Sequence, residues 1–212
     1  MKLLGLALAW AAYGAVHSVL ASFAAKDWTA RRWPGFMPWY RLAYNGFAAV
    51  ATLPILWLIY TTEGEWLWRW TGPWAWIANG LALTALAGFM VSARHYDMDE
   101  FLGLRQLRES AATADRREGF AISPFHRYVR HPWYAFGLVL VWTRDMNGAW
   151  LVSAVAITVY FVVGSLLEER KLLTLHGDAY RRYRERVPGL VPLPWKRLSR
   201  AEAEVLESSS SS

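Results

Sequence analysis

Long apolar stretches alternate with shorter charged ones along this chain. Residues 3–25 are apolar apart from His17 and small hydroxyl residues, residues 42–62 carry Asn45 near their start and Pro54 inside, and residues 73–93 form a third stretch. Each reaches the roughly 20 residues that a helix needs to cross a bilayer core about 30 Å thick. A fourth stretch, 133–142, is uncharged but short, and a fifth covers 149–167. Only Asn147 and Gly148, next to Arg144 and Asp145, separate the last two, which predicts a helical hairpin. The pattern predicts an all-α, polytopic membrane helical bundle of about five transmembrane helices with a C-terminal hairpin. Ten residues rise only about 15 Å. The fourth span is therefore read as part of a thinned or tilted hairpin packed inside the bundle, in preference to a re-entrant segment.

Composition agrees. Of 212 residues 55% are hydrophobic and 14 are Trp, too apolar and aromatic for an ordinary soluble domain. With no Cys, disulfides and thiolate metal sites are excluded. The first apolar run is long and no small-x-small cleavage site precedes a polar domain, so it is read as a span and not as a signal peptide. "LESSSSS" at 206–212 reads as a cloning scar, which leaves 1–205 as one integral-membrane domain.

Charge sets the expected orientation. Twenty of the 23 Lys and Arg residues fall after span one (Lys26 to Arg41), after span three (Arg94 to Arg130, with Arg116 and Arg117) or in the tail from Arg170 onward. The positive-inside rule then puts the N-terminus outside and the C-terminus and every basic segment in the cytosol of, we expect, the bacterial inner membrane. The net charge of +6 is accounted for by topology and lipid contact, and no nucleic-acid partner is expected. Trp66, Trp68, Trp70, Trp74 and Trp76 read as an interfacial belt at the outer ends of spans two and three.

Polar residues gather at the cytosolic ends of the spans. The hairpin should bring "RHPWY" at 130–134 beside "EER" at 168–170. Pro132 suits the first position of a helix, and the N–H groups and positive dipole end of that turn favour an anion, with Arg130 and His131 as further donors. Glu168 and Glu169 would hold a cation or accept from hydroxyls. A ligand with a carboxylate, an amine, a ribose diol and a positive centre suits both halves; S-adenosylmethionine is one, with Tyr134, Tyr180 and Tyr183 available to its adenine or sulfonium. The plain alternative is that these residues only anchor helix ends at the headgroups.

At these residues the chain resembles the integral-membrane methyltransferases, which include the isoprenylcysteine carboxyl methyltransferases and the phospholipid methyltransferases. R-H-P-x-Y at 130–134, a hairpin, E-E-x-x-L at 168–172 and G-x-x-Y-x-x-Y-x-x-x-V-P at 177–188 carry the likeness, within a signature region of 118–195. "HSVLAS" at 17–22, "RLAYN" at 41–45 and "EFLGLRQL" at 100–107 are similar to the methanethiol S-methyltransferases and NnrU-like proteins. The resemblance implies a small helical bundle whose cytosolic side encloses S-adenosylmethionine. It implies cofactor contacts from His131, Tyr134, Glu168 or Glu169, and Arg130, and a lining loop from Phe120 to His126. Trp133 stands at the variable position of the motif, and His176 where an aromatic commonly precedes the glycine.

The implied reaction is displacement at the sulfonium methyl, for which the protein aligns the nucleophile, excludes water and steadies charge, without a metal. A thiol acceptor attacks as thiolate, so a base would help. His17, an ionisable residue within a span, is the catalytic and substrate-side candidate, with Tyr44 and Asn45 also on the substrate side; the plain alternative is a neutral histidine hydrogen-bonded to another helix, for which Ser18, Ser22, Tyr44 and Asn45 offer partners. Arg105, the second catalytic candidate, and Gln106 are read as closing the cavity on the substrate side, against the alternative of an interfacial amphipathic helix. The acceptor is small or lipophilic, a methanethiol-like thiol first, an isoprenylcysteine carboxylate or lipid amine second. Other classes remain open: an NADPH-dependent membrane reductase, or a non-enzymatic NnrU-like membrane protein. The sequence leaves the oligomeric state open.

Overall fold

The computed structural model describes residues 1–108 and 120–209. Arg116, Arg117 and the first two positions of the signature region lie outside the described residues. The chain folds into two compact units: residues 1–69, 96–108 and 145–156 form the first, and residues 70–95, 120–144 and 157–209 the second.

In the first unit, α1 (Lys2–Ala21) stops four residues short of the expected end. Ser22 takes an extended conformation, and its hydroxyl accepts the Ala25 N–H at 3.2 Å. It thereby caps a separate helix, α2 (Phe23–Arg32), as serine does at N-termini. After a short 3₁₀ turn, α3 (Met37–Thr61) begins five residues before the apolar run, with Pro38 in its first turn. The Tyr40 hydroxyl donates to the Leu20 carbonyl at 2.7 Å and ties α3 to α1. Leu6, Ile55, Ile59 and Ala149 form the core here, with Trp10, Tyr13 and Trp150 packed against it. Val50, Leu53 and Trp57 on α3 are exposed, as a lipid-facing surface requires. A two-stranded antiparallel ribbon joins β1 (Trp66–Trp68) to β2 (Met146–Asn147), pairing Trp66 with Asn147 and Trp68 with Met146. The Arg69 guanidinium lies 5.3 Å from the centre of the exposed Trp66 ring.

Two short helices, α5 (Met98–Leu102) and α6 (Leu104–Arg108), meet at Gly103. Its φ is +91°, and a Cβ there would stand 2.7 Å from the Leu42 amide nitrogen in the second turn of α3. Only glycine permits both the left-handed conformation and this approach. Gly103→Ala is expected to cost at least about 1 kcal/mol. A thermal unfolding scan in detergent checks it, and an unchanged midpoint would remove this account of α5–α6 seating.

In the second unit, α4 (Pro73–Ala93) matches the third apolar run. It packs on α7 (Pro132–Trp142), where a Cβ on Gly88 would come within 2.8 Å of the Phe136 ring. Phe89 and Trp133 ring centres lie 4.8 Å apart, and the Trp133 indole N–H donates to the Ser92 hydroxyl at 3.1 Å. α8 (Gly148–Arg186) starts in the first unit and belongs to the second from Ile157. Helical geometry breaks at Gly177, whose φ of 51° and ψ of −123° let the chain turn and resume as a helix. α9 (Arg200–Ser209) closes the chain. Ile122, Tyr180, Tyr183, Val187, Leu198, Ala203 and Leu206 form a second core. Leu206 and Glu207, set aside above with the serine tail, take part in this packing: Leu206 is buried, and the Glu207 carboxylate accepts the Ile122 N–H at 2.5 Å.

Among the described residues, four helical stretches are long and apolar enough to cross a membrane: Lys2–Ala21, Pro34–Thr61, Pro73–Ala93 and Gly148–Arg186. The chain is an all-α integral membrane protein. The expected fourth span, α7, has 11 residues and rises only about 16 Å.

Candidate active site

The signature residues of the second unit converge at the mouth of α7. His131 is the residue before the helix, 7% exposed, and two carboxylates flank its ring. Nδ1 lies 3.4 Å from Oε2 of Glu168, and Nε2 lies 3.2 Å from Oε1 of Glu169. Consecutive residues on α8 thus grip both ring nitrogens. Burial opposes a charge on His131, but the hydrogen bonds and charges of Glu168 and Glu169 outweigh it and hold the imidazole above its ordinary value. Tyr134, one turn along, stacks parallel to His131 (ring centres 5.4 Å apart) and to Phe161 (4.7 Å). Its hydroxyl donates to Oε2 of Glu168 at 3.4 Å.

The two glutamates differ. Oε1 of Glu169 accepts from Nε and Nη2 of Arg130, at 2.9 and 2.6 Å, as well as from His131. The Arg130 and Glu169 side chains are 12% and 7% exposed. Glu168 has a side chain 47% exposed, and both its contacts fall on Oε2. Glu168 is therefore the carboxylate able to receive a cationic group from outside, while Glu169 is committed to Arg130 and His131.

The loop expected to line the site is held from behind. His126 Nδ1 lies 2.7 Å from the Ser123 hydroxyl. Burial chiefly, and then the charge on His131, push the His126 imidazole down to about 4. Phe120, Tyr180 and Tyr183 form an aromatic cluster in the core, where the Tyr183 hydroxyl donates to the His126 carbonyl at 2.7 Å. Tyr180 and Tyr183 thus support the loop from inside, with Phe120, its first residue, packed against them.

The two histidines give stability opposite pH slopes. His131, raised, contributes fully below the unfolded value of about 6.5, and the contribution is lost as pH climbs through the raised value. His126, lowered, contributes above about 6.5, and the contribution is lost as pH falls towards 4. His131→Gln is expected to flatten the alkaline side of a plot of unfolding temperature against pH, and His126→Gln the acid side. Tryptophan-detected melts in detergent from about pH 4 to about pH 9 measure both; an unaltered alkaline slope in His131→Gln would remove the charged-imidazole account.

In the first unit, His17 Nε2 is hydrogen-bonded to the Tyr44 hydroxyl, and the Tyr13 ring stacks on the imidazole with centres 5.5 Å apart. The remaining candidates of this unit sit at the α5–α6 seat. Asn45 donates to the Phe101 carbonyl at 2.8 Å, and Gln106 to the Glu100 carbonyl at 3.5 Å. Arg105 pairs with Asp97 and, at 3.4 Å, with Glu100, while Arg41 donates to the Glu100 carbonyl at 2.8 Å. Sequence reasoning quoted Glu100 only within "EFLGLRQL" and passed over Asp97, although the acidic Asp97, Asp99 and Glu100 before "LRQL" were the available signal. It also passed over Tyr13, one turn before His17, and Phe161, two turns before Glu168.

The methanethiol S-methyltransferase of Crocosphaera subtropica is 31% identical over 192 residues, covering 85% of this chain and 71% of the relative. That of Mycobacterium tuberculosis is 34% identical over 188 residues, covering 84% and 73%. This chain belongs to the methanethiol S-methyltransferase family. It is a methyltransferase. Methanethiol S-methyltransferase 1 of Bradyrhizobium diazoefficiens is 32% identical over 206 residues, covering 90% of this chain and 66% of the relative. No family model matches the chain, and no solved structure does.

Proposed function

We propose that this methyltransferase moves the methyl group of S-adenosylmethionine to a small, methanethiol-like thiol at the cytosolic side of a bacterial inner membrane. The observation that carries the reading is the half-exposed Glu168 carboxylate, fixed on its Oε2 edge by His131 and Tyr134. The donor set suits S-adenosylmethionine. Glu168 matches its ammonium group, and a carboxylate beside the site favours the sulfonium cation. Glu168, His131 and Tyr134 would hold it, with the loop 120–126 alongside. When bound, the donor supplies a methyl carbon already activated by the sulfonium charge. The protein's own work is to bind, orient and keep water out. Thiol methyl transfer named in three relatives supports the acceptor class. The distribution of Lys and Arg supports the orientation.

The test uses full-length protein in nanodiscs with methyl-labelled S-adenosylmethionine. Methanethiol is expected to yield labelled volatile thioether. Isoprenylcysteine and a phospholipid amine in parallel reactions should take up label at least about tenfold more slowly. Label on the lipid amine alone would move the acceptor assignment. NADPH oxidation without methyl transfer would overturn the reading.

A further inference from the structure

Arg130 stands in the signature motif, yet its guanidinium is almost fully spent inside the protein. Nε and Nη2 donate to Oε1 of Glu169, and Nη1 donates to the carbonyls of Arg184, at 3.0 Å, and Val187. Four of the five N–H groups of a guanidinium are thereby engaged. The adjoining backbone follows the same path: the Arg130 N–H donates to the Pro188 carbonyl at 2.8 Å and the His131 N–H to the Gly189 carbonyl at 3.1 Å. Gly189 is drawn in tightly, since a Cβ on it would stand 3.3 Å from Nη2 of Arg130 and 3.9 Å from Oε1 of Glu169. Further along, the Leu198 N–H donates to the Arg127 carbonyl at 2.9 Å, and Nε of Arg127 donates to the Leu198 carbonyl at 3.2 Å.

The physics of a helix end explains the arrangement. The last carbonyls of α8 have no partner within the helix, and a cation is favoured at that end. Arg130 satisfies two carbonyls there with one branch and neutralises Glu169 with the other. Lysine carries the charge but not the planar fork.

We propose that Arg130 is a positioning residue that locks residues 187–189 against the mouth of α7, making the C-terminal segment a wall of the methyl-donor site. It holds the donor by holding the wall and Glu169, without touching the donor. The inference rests on the assignment of S-adenosylmethionine to the Glu168–His131–Tyr134 cluster.

The experiment titrates S-adenosylmethionine and its decarboxylated analogue into wild type, Arg130→Lys, Arg130→Gln, Gly189→Val and the Arg130→Gln/Gly189→Val double variant by calorimetry, with donor and acceptor KM measured alongside. Arg130→Gln and Gly189→Val are each expected to weaken both donors by about tenfold or more, with Arg130→Lys in between. The loss should fall on the donor KM and not on the acceptor KM. Because both changes act through one contact, the double variant should be no weaker than the worse single. A penalty for Arg130→Gln that vanishes with the decarboxylated analogue would make Arg130 a direct ligand of the carboxylate and overturn the proposal. So would a loss of active enzyme at unchanged donor affinity, which marks a merely structural role. Wild type that binds neither donor overturns the donor assignment and the proposal with it. Wild type that binds, with Arg130→Gln unchanged, overturns the proposal alone.

Discussion

Glu168→Gln is expected to weaken S-adenosylmethionine binding by about 10- to 100-fold while leaving the unfolding temperature within about 2 °C of wild type. Its carboxylate is half exposed, and its two contacts, at 3.4 Å each, are long. Little folding energy is at stake, because water replaces what the charge loses. Under the proposed assignment donor affinity depends on that charge, since a neutral amide does not offset an ammonium or a sulfonium. Calorimetric titration beside a thermal melt separates the two effects. Unchanged donor affinity in a folded Glu168→Gln protein would end the assignment of Glu168 to the donor.

Glu169→Ala is expected to do the reverse, destabilising the protein by about 3–5 kcal/mol. One oxygen of Glu169 takes hydrogen bonds from Arg130 and His131, and both the Arg130 and Glu169 side chains are buried. Removing it leaves the buried Arg130 guanidinium without a carboxylate and His131 with Glu168 alone, and the desolvation cost of Arg130 dominates. Glu169→Gln keeps an acceptor in place and should fall between wild type and alanine. Denaturant or thermal unfolding in mild detergent reads the difference. An alanine variant as stable as wild type would show that the Arg130 pair adds nothing to the fold. Together the two substitutions split a Glu-Glu motif into one residue for the ligand and one for the frame.

Much of this architecture was legible as hydropathy. Period-free apolar runs of about 20 residues have few stable solutions other than a membrane helix, and α4 spans the residues that its run predicts. Boundaries were lost where a single polar side chain acted locally. Ser22 captures the Ala25 N–H and ends α1 inside an apolar run, which no hydropathy window detects. The clustering of the candidate residues was legible as composition: a histidine before a proline at one helix mouth, and two glutamates at the end of the next apolar run. The division of labour between Glu168 and Glu169 was not. It depends on which carboxylate the Arg130 fork reaches, and neighbouring residues on a helix differ there only by about 100° of rotation. Tyr180 and Tyr183 were misplaced for a related reason. Spacing put them on one face, but it took the turn at Gly177 to direct that face into the core with Ile122 and Leu198.

The packing of α7 on α8 gives one lipid-facing stretch a property that apolarity alone does not convey. Tyr134 rests on Phe161, and a Cβ on Gly164 would lie 3.7 Å from the Tyr134 hydroxyl. Seven residues after Phe161, close to two full turns, Glu168 meets His131. Between these points, Val162 and Val163 are exposed and any aliphatic side chain serves as well. Their number, however, is fixed. Deleting one of them leaves the span as apolar as before and long enough to cross, yet turns everything beyond it by about 100° and carries both glutamates off the α7 mouth. The segment works as a spacer counted in residues: tolerant of what each position is, and intolerant of how many there are.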